Sequence, residues 1–279
     1  MVQNALYAKG IESELVIVKT SGDNFLDKPF RDAGVGAFVR EIDDLMRVGD
    51  IDLAVHSMKD VPTKRPKESA LCAVLPRASP YDVLVYGDLS RSRMVVGTSS
   101  LRRRAQIARY YPSYICKHIR GNIDTRMKKL ASGEFSGLVI AEAGLERLNL
   151  LSNKKRLPFI PSPNQGIVGV MANRALDEYE SIATLSHEPT LIAGAAERII
   201  MEALGGGCLA PLGIFAQTSG ISLTIAAEVL SLSGDRAVRL KKRMLISDYE
   251  HESRVFAQQI KECGGEALIA EAVAQSSAF

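Results

Sequence analysis

Tryptophan is absent from this sequence, and aromatic residues make up only 6% of it. Proteins that bind single-stranded nucleic acid stack bases on aromatic side chains, so this composition disfavours a nucleic-acid partner. A net charge of +3 over 279 residues is also too small to favour one. The phosphate-binding pattern GxxxxGK[ST] does not occur.

Long apolar runs are missing as well. No uninterrupted apolar stretch approaches the ~18 residues that cross a membrane, and the opening MVQNALYAKG lacks the features of a signal peptide. We therefore expect a cytoplasmic protein with no membrane partner. The 4 cysteines include no CxxC pair, a spacing that favours neither a zinc site nor a disulfide framework. No metal is expected.

The sequence does contain a repeated pattern of a short apolar run, a turn and a helical segment. It occurs three times, at 94–110, 114–132 and 137–150. Such alternation predicts βαβ units, an α/β fold and a mainly parallel sheet. Ser99 or Ser100, and Asn122, are the predicted helix N-caps. ELVIVKT (14–20) and the beginning of IDLAVHSMKD predict further buried strands.

Two proline-containing connectors, 73–82 and 157–166, predict three domains. Domain 1 would comprise 1–75 and 166–186 and domain 2 would comprise 76–165. Domain 3, at 187–279, would be a small α+β domain. Its predicted elements are a helix at 189–204, strands at 221–230 and 237–246, and a helix at 248–263 that ends at Gly264-Gly265.

Arginines follow each repeated strand, where ligands bind in open parallel sheets. They are Arg102, Arg103, Arg104, Arg120, Arg126 and Arg147. Cations in the first turn of a helix oppose its dipole by ~0.3–1 kcal/mol each, and a bound anion reverses that penalty. Arginine favours planar groups such as carboxylates, so we predict a polyanionic ligand. The alternative is that these arginines are solvated or pair with Glu142 and Glu146.

Two further stretches suggest chemistry. In HSMKD, Asp60 at a strand end could stabilise a developing cation, or it could cap the next segment while Lys59 is solvated. His56 is interpreted as structural. In GGGCLAP, glycines would leave the Cys208 thiol accessible as a nucleophile beside arginines, or the stretch is only an inter-domain turn.

Together these stretches resemble the hydroxymethylbilane synthase family, also called porphobilinogen deaminase. The matching segments, in family order, are DLAVHSMKDVP, VGTSSLRRRAQI, IRGNIDTRMKKL, AGLERLNL, PSPNQGIVG and LGGGCLAPLG. The resemblance implies two periplasmic-binding-protein-like α/β domains around a cleft, with a small C-terminal α+β domain. It also implies a monomeric transferase of haem biosynthesis. Such an enzyme deaminates four porphobilinogen units and joins them into a linear tetrapyrrole on a covalent dipyrromethane cofactor.

The resemblance also assigns roles to residues. Cys208 would hold the cofactor through a thioether, and Asp60 would stabilise positive charge on pyrrole nitrogens. The other cofactor-binding positions implied are Ser57, Lys59, Thr98, Ser100, Arg102, Arg103, Arg120 and Gly121. Arg126 and Arg147 would bind the carboxylates of porphobilinogen and of the polypyrrole intermediates.

The sequence departs from the family pattern in places. The N-terminal RxSxLAxxQ segment has no counterpart, Val35 replaces a lysine of the lid motif, and Asn164 replaces a glycine. These departures keep open an alternative, a non-catalytic or weakened relative that binds tetrapyrroles or other polycarboxylates.

Overall fold

The computed structural model describes residues 1–18, 37–62, 70–87, 94–150, 152–205 and 207–277. The helices in this part are α1 (Val2–Tyr7), α2 (Ala37–Val48), α3 (Leu101–Tyr110), α4 (Ile123–Ala131), α5 (Glu142–Arg147), α6 (Tyr179–Ala183), α7 (Glu188–Leu204), α8 (Tyr249–Ile260) and α9 (Glu266–Ser277). The strands are β1 (Leu53–Ser57), β2 (Ala70–Val74), β3 (Asp82–Tyr86), β4 (Val95–Gly97), β5 (Ile115–Lys117), β6 (Gly137–Ala141), β7 (Lys154–Arg156), β8 (Val168–Ala172), β9 (Leu212–Ser219), β10 (Ser222–Leu230) and β11 (Ala237–Leu245). The expected α/β class is confirmed. No helix in these ranges has both the length and the apolar character that a bilayer crossing requires.

The chain divides into two compact units. The first comprises Met1–Ala78 and Ile167–Ile192, and the second comprises Ser79–Gly166 and Ala193–Phe279. The chain passes from the first unit to the second after Ala78, within the connector 73–82. It returns after Gly166, directly at the end of the connector 157–166. The division into three domains stays a prediction.

The first unit contains a three-stranded antiparallel sheet in the order β1-β8-β2. Successive side chains of a strand face opposite sides, and helices cover both sides of this sheet. On one side, α2 packs on the strands through a cluster that includes Val39, Met46, Ala54 and Met171. On the other side, α1 and α6 contribute Val2, Leu6 and Ile182, which pack with Ala73 and Val170.

The second unit contains a five-stranded mixed sheet in the order β5-β4-β6-β3-β7. Val83 and Val85 lie in the apolar cluster on one side, while Leu84 lies in the cluster on the other. All residues of β6 are buried, as expected for a strand covered on both faces. Because β4 runs parallel to both β5 and β6, the carboxyl ends of these three strands lie at one edge. That edge leads into α3, α4 and α5.

The prediction of a mainly parallel sheet is wrong for the sheets as a whole. Both strand pairs of the first unit are antiparallel, and β3 runs antiparallel to β6 and β7. Parallel neighbours need a crossover connection, usually a helix. The repeated pattern supplies such helices only after β4, β5 and β6. Strands β3 and β7, which adjoin the two connectors, pair antiparallel instead.

The buried strand predicted at 14–20 is also wrong over the residues that the structure describes. Residues 14–18 form no strand, and Leu15, Val16 and Ile17 are 69%, 57% and 81% exposed. A strand needs a neighbour to satisfy its backbone hydrogen bonds, and no described strand pairs with this run. Lys19 and Thr20 lie outside the described residues.

The C-terminal part of the second unit is an antiparallel meander, β9-β10-β11, with two helices. Helix α8 packs against β11, and α9 packs against β10. Between the helices Gly264 has φ +99°, a left-handed conformation that glycine adopts without strain. The predicted strands and the helix end at Gly264 are confirmed, and α7 confirms the helix predicted at 189–204.

Buried Glu197 on α7 ties two segments of the second unit together. One carboxylate oxygen accepts the backbone N–H of Asn164 at 2.5 Å, and the other accepts that of Ala216 at 2.7 Å. Glu197 is 0% exposed, so both donors would lack an equivalent partner without it.

Glu197→Ala should therefore lower the free energy of unfolding by about 2–6 kcal/mol, because each of the two buried N–H groups that loses this acceptor costs about 1–3 kcal/mol. Urea unfolding would measure the difference. Exposed Glu202 lies on the same helix, so Glu202→Ala is the matched control. Equal stability of the two variants would contradict the assignment.

Candidate functional site

In the first unit, the turn after β1 is anchored by its apolar residues. Met58 and Val61 are buried, and the Met58 N–H donates to the Ile167 carbonyl at 3.0 Å. Between these anchors Lys59 is half-buried and Asp60 is exposed. The local fold thus holds the backbone in place and presents the Asp60 carboxylate to solvent.

The two residues before this turn have different environments. His56 is 6% exposed, and its Nε2 lies 3.2 Å from Oδ1 of Asp43 on α2. This contact favours the structural interpretation of His56. Ser57, the last residue of β1, is half-buried.

In the second unit, hydroxyl groups shape the turn between β4 and α3. Oγ of Ser100 accepts the Arg103 N–H at 3.4 Å, which confirms the predicted N-cap. Thr98 is buried, and its Oγ1 accepts the Ser100 N–H at 3.3 Å. Oγ of Ser99 donates to the Ile119 carbonyl and so links this turn to the segment after β5.

Arg102 and Arg103 are buried around one carboxylate. Nη1 of Arg102 donates to Oδ2 of Asp82 at 2.6 Å and also bonds Gln106 at 2.8 Å. Nε of Arg103 donates to Oδ1 of Asp82 at 2.9 Å. Burial alone would raise the pKa of Asp82, but the two guanidinium groups outweigh it and hold that pKa well below its usual range.

This arrangement bears on the alternative interpretation of these arginines, in which they pair with Glu142 and Glu146. For Arg102 and Arg103 the buried partner is Asp82 instead. Glu142 instead pairs with Lys154 at 3.0 Å and Arg156 at 2.8 Å. The structure favours a structural role for Arg102, and the roles of Arg102 and Arg103 in holding a cofactor stay predictions.

A group of cations surrounds His118 at the strand-end edge of the same unit. We name Arg104, Arg120, Arg126 and Lys129 the basic cluster. Partial burial, followed by Arg120, Arg104, Arg126 and Lys129, lowers the pKa of His118. Burial, followed by Arg103, lowers the pKa of Arg126. Positive charge therefore accumulates here, as expected of a site for an anion.

Glycine is required beside this cluster. Gly121 has φ +105°, and a Cβ there would lie 2.8 Å from the Thr125 side chain. Its carbonyl accepts the Nε–H of Arg126 at 2.7 Å, which fixes that guanidinium against the loop. Asn122 caps α4 by accepting the Thr125 N–H at 3.0 Å, as predicted.

Of the remaining predicted residues, the structure describes Arg147 but not the Cys208 side chain. Arg147 ends α5, is exposed, and lies 3.5 Å from the Gly166 carbonyl through Nη2. Cys208 belongs to the turn Gly207–Leu209, but its side chain lies outside the described part. Val35 also lies outside it. Among the described residues, no three His, Cys, Asp or Glu side chains are grouped to hold a metal.

Sequence reasoning missed Asp82, Lys129 and His118. Asp82 begins the apolar strand DVLVY, and a carboxylate at the start of a strand that is expected to be buried is the sequence signal for a buried partner. Lys129 lies three residues after Arg126, so the helical repeat places it on the same face of α4. His118 gave no signal, because a single histidine in an apolar run forms no pattern.

Comparisons with known proteins agree with the motifs. Residues 1–181 match the family model described as porphobilinogen deaminase, dipyromethane cofactor binding domain, and residues 191–262 match its C-terminal domain. A probable porphobilinogen deaminase of Methanococcoides burtonii is 42% identical over 99% of this chain and 93% of that protein. A porphobilinogen deaminase of Sulfurimonas denitrificans is 36% identical over 95% and 89%. The family resemblance is confirmed.

Among solved structures, an ancestral cationic amino acid solute binding protein is 14% identical. The match covers 66% of this chain and 76% of the solute binding protein, with a TM-score of 0.39. This value is too low to establish a shared fold.

Asp82→Asn should lower the free energy of unfolding by about 3–5 kcal/mol, because it leaves two buried guanidinium groups without their counter-charge. A low pKa means that the wild-type carboxylate stabilises the fold above pH ~4 and that this contribution is lost as pH falls below ~4. The variant should therefore lose less stability on acidification than the wild type does.

Chemical unfolding at pH 7 and in acid tests both expectations. Asp248→Asn is the control, since Asp248 is exposed and its side chain makes no capping bond. Equal stability of Asp82→Asn and this control would contradict a stabilising role for the Asp82 pairing.

Proposed function

Because the chain belongs to the porphobilinogen deaminase family, we propose that it joins four porphobilinogen molecules into the linear tetrapyrrole hydroxymethylbilane. Each condensation breaks the C–N bond of one aminomethyl group, forms one carbon–carbon bond and releases one ammonia, and water finally hydrolyses the bond between the tetrapyrrole and its primer. The basic cluster is the observation that supports this proposal most, because every pyrrole of the growing chain carries acetate and propionate groups. Guanidinium groups pair with such carboxylates through two parallel hydrogen bonds.

The residues present fit a dipyrromethane cofactor. The cofactor is a polycarboxylate, and the four cations of the basic cluster would attract its carboxylates. We assign its carboxylates to Arg103 and Arg120. The family motifs imply further cofactor-binding positions at Ser57, Lys59, Thr98, Ser100 and Gly121. Arg102 has an indirect role, because it shares the Asp82 carboxylate with Arg103 and so helps to hold Arg103 in place. When bound, the cofactor supplies the pyrrole carbon to which the first substrate is joined.

Cys208 is proposed as the attachment point. A thioether needs an accessible thiolate, and nearby guanidinium groups lower the pKa of a thiol. The three glycines before Cys208 allow the backbone to turn tightly. This assignment follows from the family motif GGGCLAP and from the thiol chemistry.

Asp60 is proposed as the catalytic residue. Positive charge develops on a pyrrole nitrogen as ammonia leaves, and the exposed carboxylate would stabilise it. At ~4 Å and an effective dielectric constant of ~20, such an interaction amounts to about 4 kcal/mol. If it is made only in the transition state, it corresponds to roughly a thousandfold in rate. Arg126 and Arg147 bind the carboxylates of the incoming substrate.

Asp60→Asn should lower kcat for ammonia release from porphobilinogen by about a thousandfold, because the amide keeps the shape but removes the charge. The covalent cofactor and the unfolding midpoint should be retained. Asp52→Asn, an exposed site just before β1, controls for the loss of a surface charge. Ordinary turnover in Asp60→Asn would contradict the catalytic role.

Cys208→Ser should remove the covalent group, because a serine hydroxyl cannot form the thioether. Intact mass under denaturing conditions should show an excess of two pyrrole units in the wild type and the bare chain in the variant. Cys263 is an exposed free cysteine, so Cys263→Ser should keep the excess mass. A Cys208→Ser protein that still carries it would refute the attachment point. A wild type that binds porphobilinogen without turnover would support the non-catalytic alternative.

A further inference from the structure

His118 contacts one of the proposed cofactor-binding arginines. It directly follows β5, in the segment that leads to α4. Ile119 is 2% exposed and belongs to the apolar core, whereas His118 is exposed and Arg120 is half-buried. Nε of Arg120 donates to Nε2 of His118 at 2.9 Å.

This contact defines the protonation state of the imidazole. A guanidinium group can only donate hydrogen bonds, so Nε2 of His118 must be unprotonated and its single proton lies on Nδ1. The surrounding charges favour the same neutral form. Arg104 faces His118 from α3, Arg126 and Lys129 from α4, and Arg120 from its own segment, and partial burial together with these cations lowers the pKa of His118.

The Nε–H bond to His118 restricts the long side chain of Arg120. Arginine loses considerable rotamer freedom when it is held in one position, and a guanidinium that is already oriented binds a carboxylate with less of that loss. We propose that neutral His118 is a positioning residue that orients Arg120 toward a carboxylate of the pyrrole ligand. This inference rests on the proposed function, in which Arg120 binds such a carboxylate.

The rival explanation is that protonated His118 binds the anion directly. The two explanations predict opposite effects of pH. Positioning requires an acceptor at Nε2 and is lost as pH falls through the pKa of His118, which lies below ~6.5. Direct binding requires the imidazolium and strengthens over the same range.

The kinetic test compares His118→Ala and His118→Gln with the wild type. At pH 8, His118→Ala should slow the covalent attachment of the cofactor about fivefold when apo-protein is incubated with porphobilinogen and followed by intact mass, because the Arg120 guanidinium that binds a cofactor carboxylate is no longer oriented. His118→Gln should stay near the wild-type attachment rate, because its amide oxygen can accept the Arg120 N–H. Exposed His251 on α8 provides the control variant His251→Ala.

The ratio of the wild-type attachment rate to the His118→Ala attachment rate should fall toward one as pH is lowered below 6.5. A ratio that is the same at every pH, or no rescue by glutamine, would reduce His118 to a packing role. A ratio that grows in acid would establish direct anion binding. Either result overturns the positioning role.

A second readout does not depend on turnover. The protein has 4 histidines, so imidazole ¹⁵N spectra can assign each ring. His118 should show the Nδ1–H tautomer and a pKa below the usual value of histidine, and Arg120→Gln should raise this pKa. An Nε2–H tautomer would overturn the inference even in an active enzyme. If the wild type neither carries the cofactor nor releases ammonia, the proposed function fails while these spectra still decide whether His118 holds Arg120.

Discussion

A buried carboxylate between two guanidinium groups determines how the second unit is assembled. Asp82 begins β3, and it holds Arg102 and Arg103 in the first turn of α3. Farther along the same helix, Gln106 and Tyr110 donate to Glu228 of β10 and so connect α3 to the C-terminal meander. Because an unpaired buried charge costs several kcal/mol, α3 has little freedom to shift. The turn from Thr98 to Ser100 is therefore fixed at the edge of the sheet.

This anchoring distinguishes Arg102, which pairs with Asp82 inside the unit, from the arginines that are proposed to bind a ligand. Arg103 is buried, yet it still lowers the pKa of Arg126, so the buried pair lies electrostatically next to the basic cluster. Asp82 neutralises charge inside the unit, while the cations around His118 remain beside one another. Like charges gathered at one edge raise the free energy of the protein alone, and a polycarboxylate lowers it. The concentrated positive charge that is unfavourable for the protein alone thus favours binding of the proposed polycarboxylate.

Local signals explain which features could be predicted from the sequence. The caps at Ser100 and Asn122 and the helix end at Gly264 depend on residues within a few positions of one another, and all three were correct. Strand direction depends on distant partners, so the antiparallel pairing of β3 was not predicted. An apolar run alone did not make Leu15–Ile17 a strand.

The same distinction applies to the candidate site. Motifs correctly pointed to arginines at the strand ends, but they could not show that Arg102 and Arg103 share a carboxylate 20 and 21 residues away in sequence. The account as a whole is tested most directly by purifying the wild-type protein, adding porphobilinogen, and measuring released ammonia together with linear tetrapyrrole. We predict four ammonia molecules for each hydroxymethylbilane. Binding of porphobilinogen with no ammonia released would contradict the proposed activity and leave a binding protein on the same fold.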